Sequence, residues 1–295
     1  LEASKADNTK RAYRSDWAHF AGWCAAHGLP ALPASPETVA LYLSDLAATH
    51  KPSTLTRRLA AISVAHQAAS QPSPTRSIVV RSTLKGIRRS VGVAAAQKSA
   101  LRAQHLREII PQLEGTLQGL RDKALLLIGY AGAFRRSELV ALNVDDIAFE
   151  PQGARITLRR SKTDQEGQGE MKAIPFGSHK RTCPVKALEA WLSASGITGG
   201  PIFRGVNRHG QLQAGRLTDR AVALILKRVA ALCGLDPASV GGHSLRAGLI
   251  TDLYQKGTPE AVIMGISGHR SRTVLGRYRR EADAFAFNHI AAVGL

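Results

Sequence analysis

Four separated stretches of the chain set unusual polar residues in otherwise apolar, helical surroundings. They are GAFRRSELVAL (Gly132 to Leu142), RRSKTD (Arg159 to Asp164), GGHSLRAG (Gly241 to Gly248) and SGHRSRTVLGRYRR (Ser267 to Arg280). Singly, each has an ordinary structural reading: a salt-bridged Arg, a solvated Lys at a turn, a structural His. Together they could act on a phosphodiester. Substitution at phosphorus spreads charge over the non-bridging oxygens, and two guanidinium groups can grip those oxygens bidentately while staying protonated at any working pH. Arg135 and Arg246 are the candidates. His243 precedes Arg246 by three residues, a spacing that on a helix puts both side chains on one face, with a proton carrier beside the clamp.

The nucleophile in such a set would be Tyr278, which sits among Arg272, Arg277, Arg279 and Arg280. A free phenol with a pKa of about 10 is ionised in only about one molecule per thousand at pH 7, so a base or a cationic field must assist it. Asp145 and Asp146 are adjacent in LNVDDI, which directs them to different sides of the chain and reads as a turn rather than a two-metal clamp. The expectation is therefore a site with no metal and no cofactor. No GxxxxGK loop or GxGxxG fingerprint points to a nucleotide.

The composition agrees with a polyanionic partner. Of 295 residues, 40 are Lys or Arg and 22 Asp or Glu, for a net charge of +18. Residues 1–98 carry +8 and residues 99–295 carry +10, so both halves are basic and neither is a cationic tail on an acidic enzyme. With 44% apolar and 21% charged residues, disordered, collagenous and disulfide-scaffold classes are excluded. Cys24, Cys183 and Cys233 are odd in number and far apart, the pattern of reduced thiols. The longest nearly apolar run, Ala124 to Phe134, is about half the ~20 residues that cross a bilayer. A cytoplasmic protein with no membrane partner is expected.

The elements that must position these residues follow from periodicity. Thr9 can cap a helix with Tyr13, Trp17, Phe20 and Cys24 on one face, ended by Gly28 and Pro30. Ser35, Pro36 and Glu37 open a second with Val39, Tyr42, Leu43 and Leu46 inward. A third starts near Ser53, and a fourth runs from about Ser77 to Val91 with Val80, Leu84, Ile87 and Val91 on its apolar face. Its other face carries Arg81, Lys85, Arg88 and Arg89, candidate phosphate contacts. Residues 1–91 thus form a four-helix bundle, and residues 92–101, around GVAAAQKS, a linker. Residues 102–295 read as a mixed domain with a core helix at Leu120 to Tyr130, further helices after Pro184, and a β-hairpin of Arg155–Arg160 and Met171–Phe176 around a Gly-rich turn. The fold class is mainly α with a small β-hairpin or sheet: an N-terminal bundle and an α+β domain.

In their order and separation, the four stretches resemble the signature of the tyrosine recombinase (phage integrase) family, over residues 103–280. The resemblance implies that Arg135, Arg246, His243, His269 and Tyr278 are catalytic, that Lys162 is the hairpin lysine acting as general acid, and that Glu138 supports Arg135 or His243. Ala133 and Phe134 stand where Gly-Leu is more usual, and Arg136 adds a charge beside Arg135. The resemblance further implies two domains closing as a clamp on double-stranded target DNA, cleavage through a 3′-phosphotyrosyl link without ATP, and a homo-oligomer, a tetramer, on paired sites. It leaves open whether the C-terminal tail docks in cis or in trans. Two other readings share part of this pattern. A type IB topoisomerase would relax plasmids lacking special sites, and a basic architectural protein would leave no covalent adduct on DNA.

Overall fold

The computed structural model describes residues 7–92, 98–159 and 169–282. The chain divides into two compact units, Leu1–Ala96 and Gln97–Leu295. The first consists of helices α1 (Asp7–Ala26), α2 (Pro36–Leu46), α3 (Pro52–Ala68) and α4 (Ile78–Val91). The hydroxyl of Ser35 accepts from the Thr38 N–H and that of Ser77 from the Val80 N–H, which starts α2 and α4 as their sequences predict. Phe20, Tyr42, Leu43, Leu55 and Ile62 are wholly buried between the helices, and the Phe20 and Tyr42 rings meet edge to face at 5.0 Å.

Two local expectations are corrected. Thr9 is not a cap, since α1 is already under way at Asp7. The third helix starts next to the expected Ser53, at Pro52, whose missing N–H is harmless there. Val91 is 53% exposed, because the apolar stripe has drifted off the core by the last turn before Gly92. His66, which the sequence did not single out, is fully buried. It accepts from the Ala34 N–H at 2.9 Å through Nε2, and its Nδ1 lies 2.8 Å from the Ile62 carbonyl.

The second unit runs α5 (Ala103–Ile109), α6 (Leu117–Ala131), α7 (Arg136–Ala141), β1 (Ile147–Glu150), β2 (Gly153–Leu158), β3 (Glu170–Pro175), α8 (Pro184–Ser195), β4 (Arg204–Val206), β5 (Leu212–Arg216), α9 (Asp219–Leu232), α10 (Ser244–Gln255), α11 (Glu260–Ser267) and α12 (Arg272–Ala282). Its core gathers on α6, where Ala124 to Ile128 are all buried, with Trp191 and Phe203. The expected hairpin is β2 and β3, antiparallel from Gly153 opposite Pro175 to Leu158 opposite Glu170. It is part of a three-stranded sheet completed by β1, and β4 with β5 form a second small sheet. β4 and β5 are short and rich in Gly and charge, so no alternating apolar pattern marks them.

The expected linker, residues 92–101, falls for residues 93–97 outside the described residues. Its last residues already belong to the second unit, which shortens the expected linker: the Ser99 N–H donates to the Ser239 carbonyl and the Leu101 N–H to the Ser244 carbonyl. Gly248 permits this approach, for a Cβ there would lie 1.9 Å from the Leu101 carbonyl oxygen. Asp252 pins α10 further by accepting from Arg102 Nε, the Ala103 N–H and the Tyr130 hydroxyl.

Candidate active site

Arg135 stands at the N-cap of α7, after a tight turn in which Ala133 takes a positive φ of 47°. The buried Phe134 ring fills the space beside Gly132, where a Cβ would collide with it. Glu138, 3% exposed, accepts from the backbone N–H of Arg135 at 2.9 Å and from its guanidinium. The neighbouring Arg136 is drawn elsewhere, with Nε 3.3 Å from Asp219 on α9.

Arg246 lies in the first turn of α10 and is 3% exposed. Its Nη1 donates to the Ala133 carbonyl at 2.7 Å, and its Nη2 is 3.4 Å from both ring nitrogens of His269. Burial, then the charge of Arg135, pushes the Arg246 guanidinium down to about 10, which leaves it cationic at neutral pH.

His269 follows Gly268, which ends α11 in the left-handed conformation at φ 64°. Its Nδ1 is 2.8 Å from Ser267 Oγ, which donates to the Ile263 carbonyl at 2.6 Å. With the one hydroxyl proton of Ser267 so committed, Nδ1 of His269 is the donor in their bond. Burial pushes the His269 imidazole down to about 4, helped by Arg246, Arg135, Lys172 and His243 in that order. Its ring centroid is 6.1 Å from that of Tyr278.

Tyr278 is half-buried on α12, which seats Leu275 against Ile250 and Ile263. The phenol is near enough to Arg246 to act on its guanidinium electrostatically. His243 takes the N-cap position of α10, just ahead of the first turn that carries Arg246, and is exposed. Arg135, Glu138, Arg246, His269 and Tyr278 are thus gathered, with His243 at their edge. Lys162 lies outside the described residues. At the root of its segment, Arg159 donates to Asp146, which also accepts from the Asn143 N–H, and this gives Asp146 a structural task.

Sequence reasoning missed Lys172. It points inward from β3, 8% exposed, with Nζ 2.7 Å from the Ile266 carbonyl and 3.1 Å from Glu170 Oε1. Burial pushes its ammonium down and Glu170 opposes that shift. The alternation of β3, in which Lys172 falls in phase with the buried Ile174, is the signal that could have found it. Among the described residues no three His, Cys, Asp or Glu side chains form a cluster suited to a metal ion.

In the first unit, Arg81, Lys85, Arg88 and Arg89 are all exposed on α4. Lys85, Arg88 and Arg89 line an open groove of about 930 Å³ together with His50, Lys51 and Thr56. Arg81 is not among its lining residues. Arg88 donates to Thr56 Oγ1 at 3.0 Å. His50 and Lys51, at the turn into α3, are cations or potential cations that no helical stripe revealed. No helix of the described residues is long and apolar enough to cross a membrane.

Residues 99–284 match the model of the phage integrase family. The chain is 43% identical over 292 residues to the integrase/recombinase XerD homolog of Selenomonas ruminantium, covering 98% of this chain and 86% of that protein. It is 26% identical over 285 residues to recombinase Cre of Escherichia phage P1, covering 90% and 81%. Its fold resembles the XerH site-specific recombinase bound to a palindromic difH substrate, with a TM-score of 0.60 at 19% identity over 88% of this chain and 70% of that one. It also resembles a lambda integrase dimer bound to a COC′ core site, at 0.59 and 19% over 94% and 89%. A match over most of its second unit and a relative aligned along nearly its whole length lead to one conclusion: the chain belongs to the phage integrase family and is a tyrosine recombinase.

Proposed function

We propose that the protein exchanges DNA strands at specific sites through a covalent intermediate on Tyr278. The observation that carries this reading is the meeting of Arg246 with the Ala133 turn, His269 and Tyr278 in one place. The Tyr278 oxygen attacks a backbone phosphorus, forming a 3′-phosphotyrosyl bond as the bond to the 5′-oxygen breaks. His243 accepts the phenolic proton and Lys162 gives a proton to the departing 5′-oxygen. Arg135 and Arg246 neutralise the non-bridging oxygens, His269 donates to one of them, and Glu138 orients Arg135. A 5′-hydroxyl of another strand reverses the step. The phosphoryl bond energy is conserved on Tyr278, so the cycle needs no ATP, and the two guanidinium groups do the work of a metal.

Double-stranded target DNA is bound by both basic units, with Arg81, Lys85, Arg88 and Arg89 on phosphates, and two paired sites are joined by a homotetramer in the cytoplasm. The names of the relatives, a recombinase and an integrase/recombinase homolog, favour paired-site exchange over relaxation. The test uses duplexes selected for binding from a random pool and nicked beside the cleavage position, so that cleavage traps protein on DNA. Wild type should give a denaturant-resistant adduct, and Tyr278→Phe should bind equally and give none. Adducts formed by Tyr278→Phe, or relaxation of plasmids without paired sites, would contradict it.

A further inference from the structure

Lys172 and Glu170 have no part in the reaction above, yet they are charged groups turned toward its site. Burying an ammonium is costly unless acceptors replace its water. Lys172 finds them in the Ile266 carbonyl and Glu170, and its Nζ also lies 5.7 Å from the centre of the Phe134 ring. Ile266 belongs to the last turn of α11, two residues before the left-handed Gly268 that delivers His269. Phe134 directly precedes Arg135. Glu170 rests on the same turn, for a Cβ on Gly268 would come within 3.1 Å of its Oε1. One buried cation on β3 therefore touches both the turn that presents Arg135 and the turn that presents His269.

We propose that Lys172, held by Glu170, is a positioning residue that sets His269 against the Arg135–Arg246 clamp. The inference rests on the phosphate role given to His269 above. Lys172 does not donate the reaction proton: its Nζ is engaged by protein acceptors and turned away from solvent. Its action on the reaction runs through the Ile266–His269 turn. Small displacements of a group that contacts the transition state are expensive in rate, so removing the ammonium should cost turnover rather than DNA affinity.

The experiment measures single-turnover adduct formation on saturating nicked duplex for the full chain carrying Lys172→Met, Lys172→Arg or Glu170→Gln, each also in a His269→Ala background. Lys172→Met should slow adduct formation about tenfold or more, Lys172→Arg should restore it to within about threefold, and DNA affinity should stay within about twofold. In the His269→Ala background the same change should add less than about twofold, since two residues acting as one unit are not additive. In DNA-free protein the imidazole NMR signal of His269, which faces Arg246, Arg135, Lys172, His243 and Tyr278, should move in Lys172→Met and Glu170→Gln.

An unchanged rate with an unmoved His269 signal overturns the inference. So does an equal slowing in the His269→Ala background, or a failure of Lys172→Arg to restore activity. Should Lys172→Met not fold, Lys172→Arg and Glu170→Gln decide by the same readouts. If wild type forms no adduct, the proposed function falls while the His269 signal still reports on the positioning.

Discussion

Arg246 donates a 2.7 Å hydrogen bond to the carbonyl of Ala133, 113 residues away in the chain. The bond ties one guanidinium of the clamp to the turn that presents the other, so Arg135 and Arg246 cannot shift independently. It also explains why an unusual residue pair before Arg135 is tolerated: the contact is made by a backbone oxygen, and Phe134 packs the turn from within. Lysine at position 246 has a single ammonium and cannot reach Ala133 and a phosphate in the same fork. Arg246→Lys should lower the rate of adduct formation by about 100-fold or more with DNA affinity little changed. Single-turnover cleavage on saturating DNA measures it.

Glu138 holds Arg135 by two bonds, one to its backbone and one to its guanidinium. Glu138→Gln keeps the backbone acceptor and weakens the charged one, so its cleavage rate should fall by about tenfold, against about 100-fold for Glu138→Ala. Equal losses in both would mean that the retained backbone acceptor contributes nothing, and a Glu138→Gln rate equal to wild type would mean that the charge on Glu138 is immaterial.

The low value of His269 has two consequences. Its imidazole is neutral in the folded protein down to about pH 4, whereas in the unfolded chain it takes up a proton near pH 6.5. The unfolded state therefore binds more protons in this window, and stability falls as pH falls from about 6.5 to 4. His269→Gln should flatten that part of the curve of urea midpoint against pH. Because Nδ1 of His269 is committed to Ser267, Nε2 can donate to a phosphate oxygen only after taking a proton. DNA binding near pH 6 should then draw protons from the buffer, fewer in His269→Gln, as calorimetry in buffers of different ionisation enthalpy reads out. Identical proton uptake in the two proteins would remove His269 from the phosphate.

Gly248 lets the entering chain cross α10. Any Cβ there meets the Leu101 carbonyl oxygen at 1.9 Å, so Gly248→Ala should destabilise the second unit by about 1–3 kcal/mol despite the helix preference for alanine. Urea unfolding gives the number.

The α4 groove should make binding salt-dependent. If Lys85, Arg88 and Arg89 each neutralise one phosphate, removing any of them should reduce the slope of log K against log salt by about 0.9. Arg81 lies outside the groove lining, and its removal compares a helix-face phosphate contact with those in the groove.

The helices of the first unit were legible because their signals are local. Ser35 and Ser77 cap the helices they precede, and the apolar stripe of α2 is the buried one. The sheet beyond β2 and β3 was not, because β4 and β5 are held by backbone pairing between segments with no apolar alternation. Around the candidate site, residue types announced Arg135, Arg246 and Tyr278, since guanidinium pairs and phenols have few reasons to cluster. Lys172 announced nothing by residue type, and only its phase on β3 turns it inward. The diversion of Arg136 to Asp219 depends on α9, some eighty residues further on, and no local pattern could foretell it.

The proposed reaction turns on a bond between the Tyr278 oxygen and phosphorus. Peptide mapping by mass spectrometry of the protein trapped on nicked duplex reads that bond. A nucleotide remnant should be joined through its 3′-phosphate to Tyr278 and to no other residue. A remnant on a serine, on another tyrosine, or joined through a 5′-phosphate would contradict it.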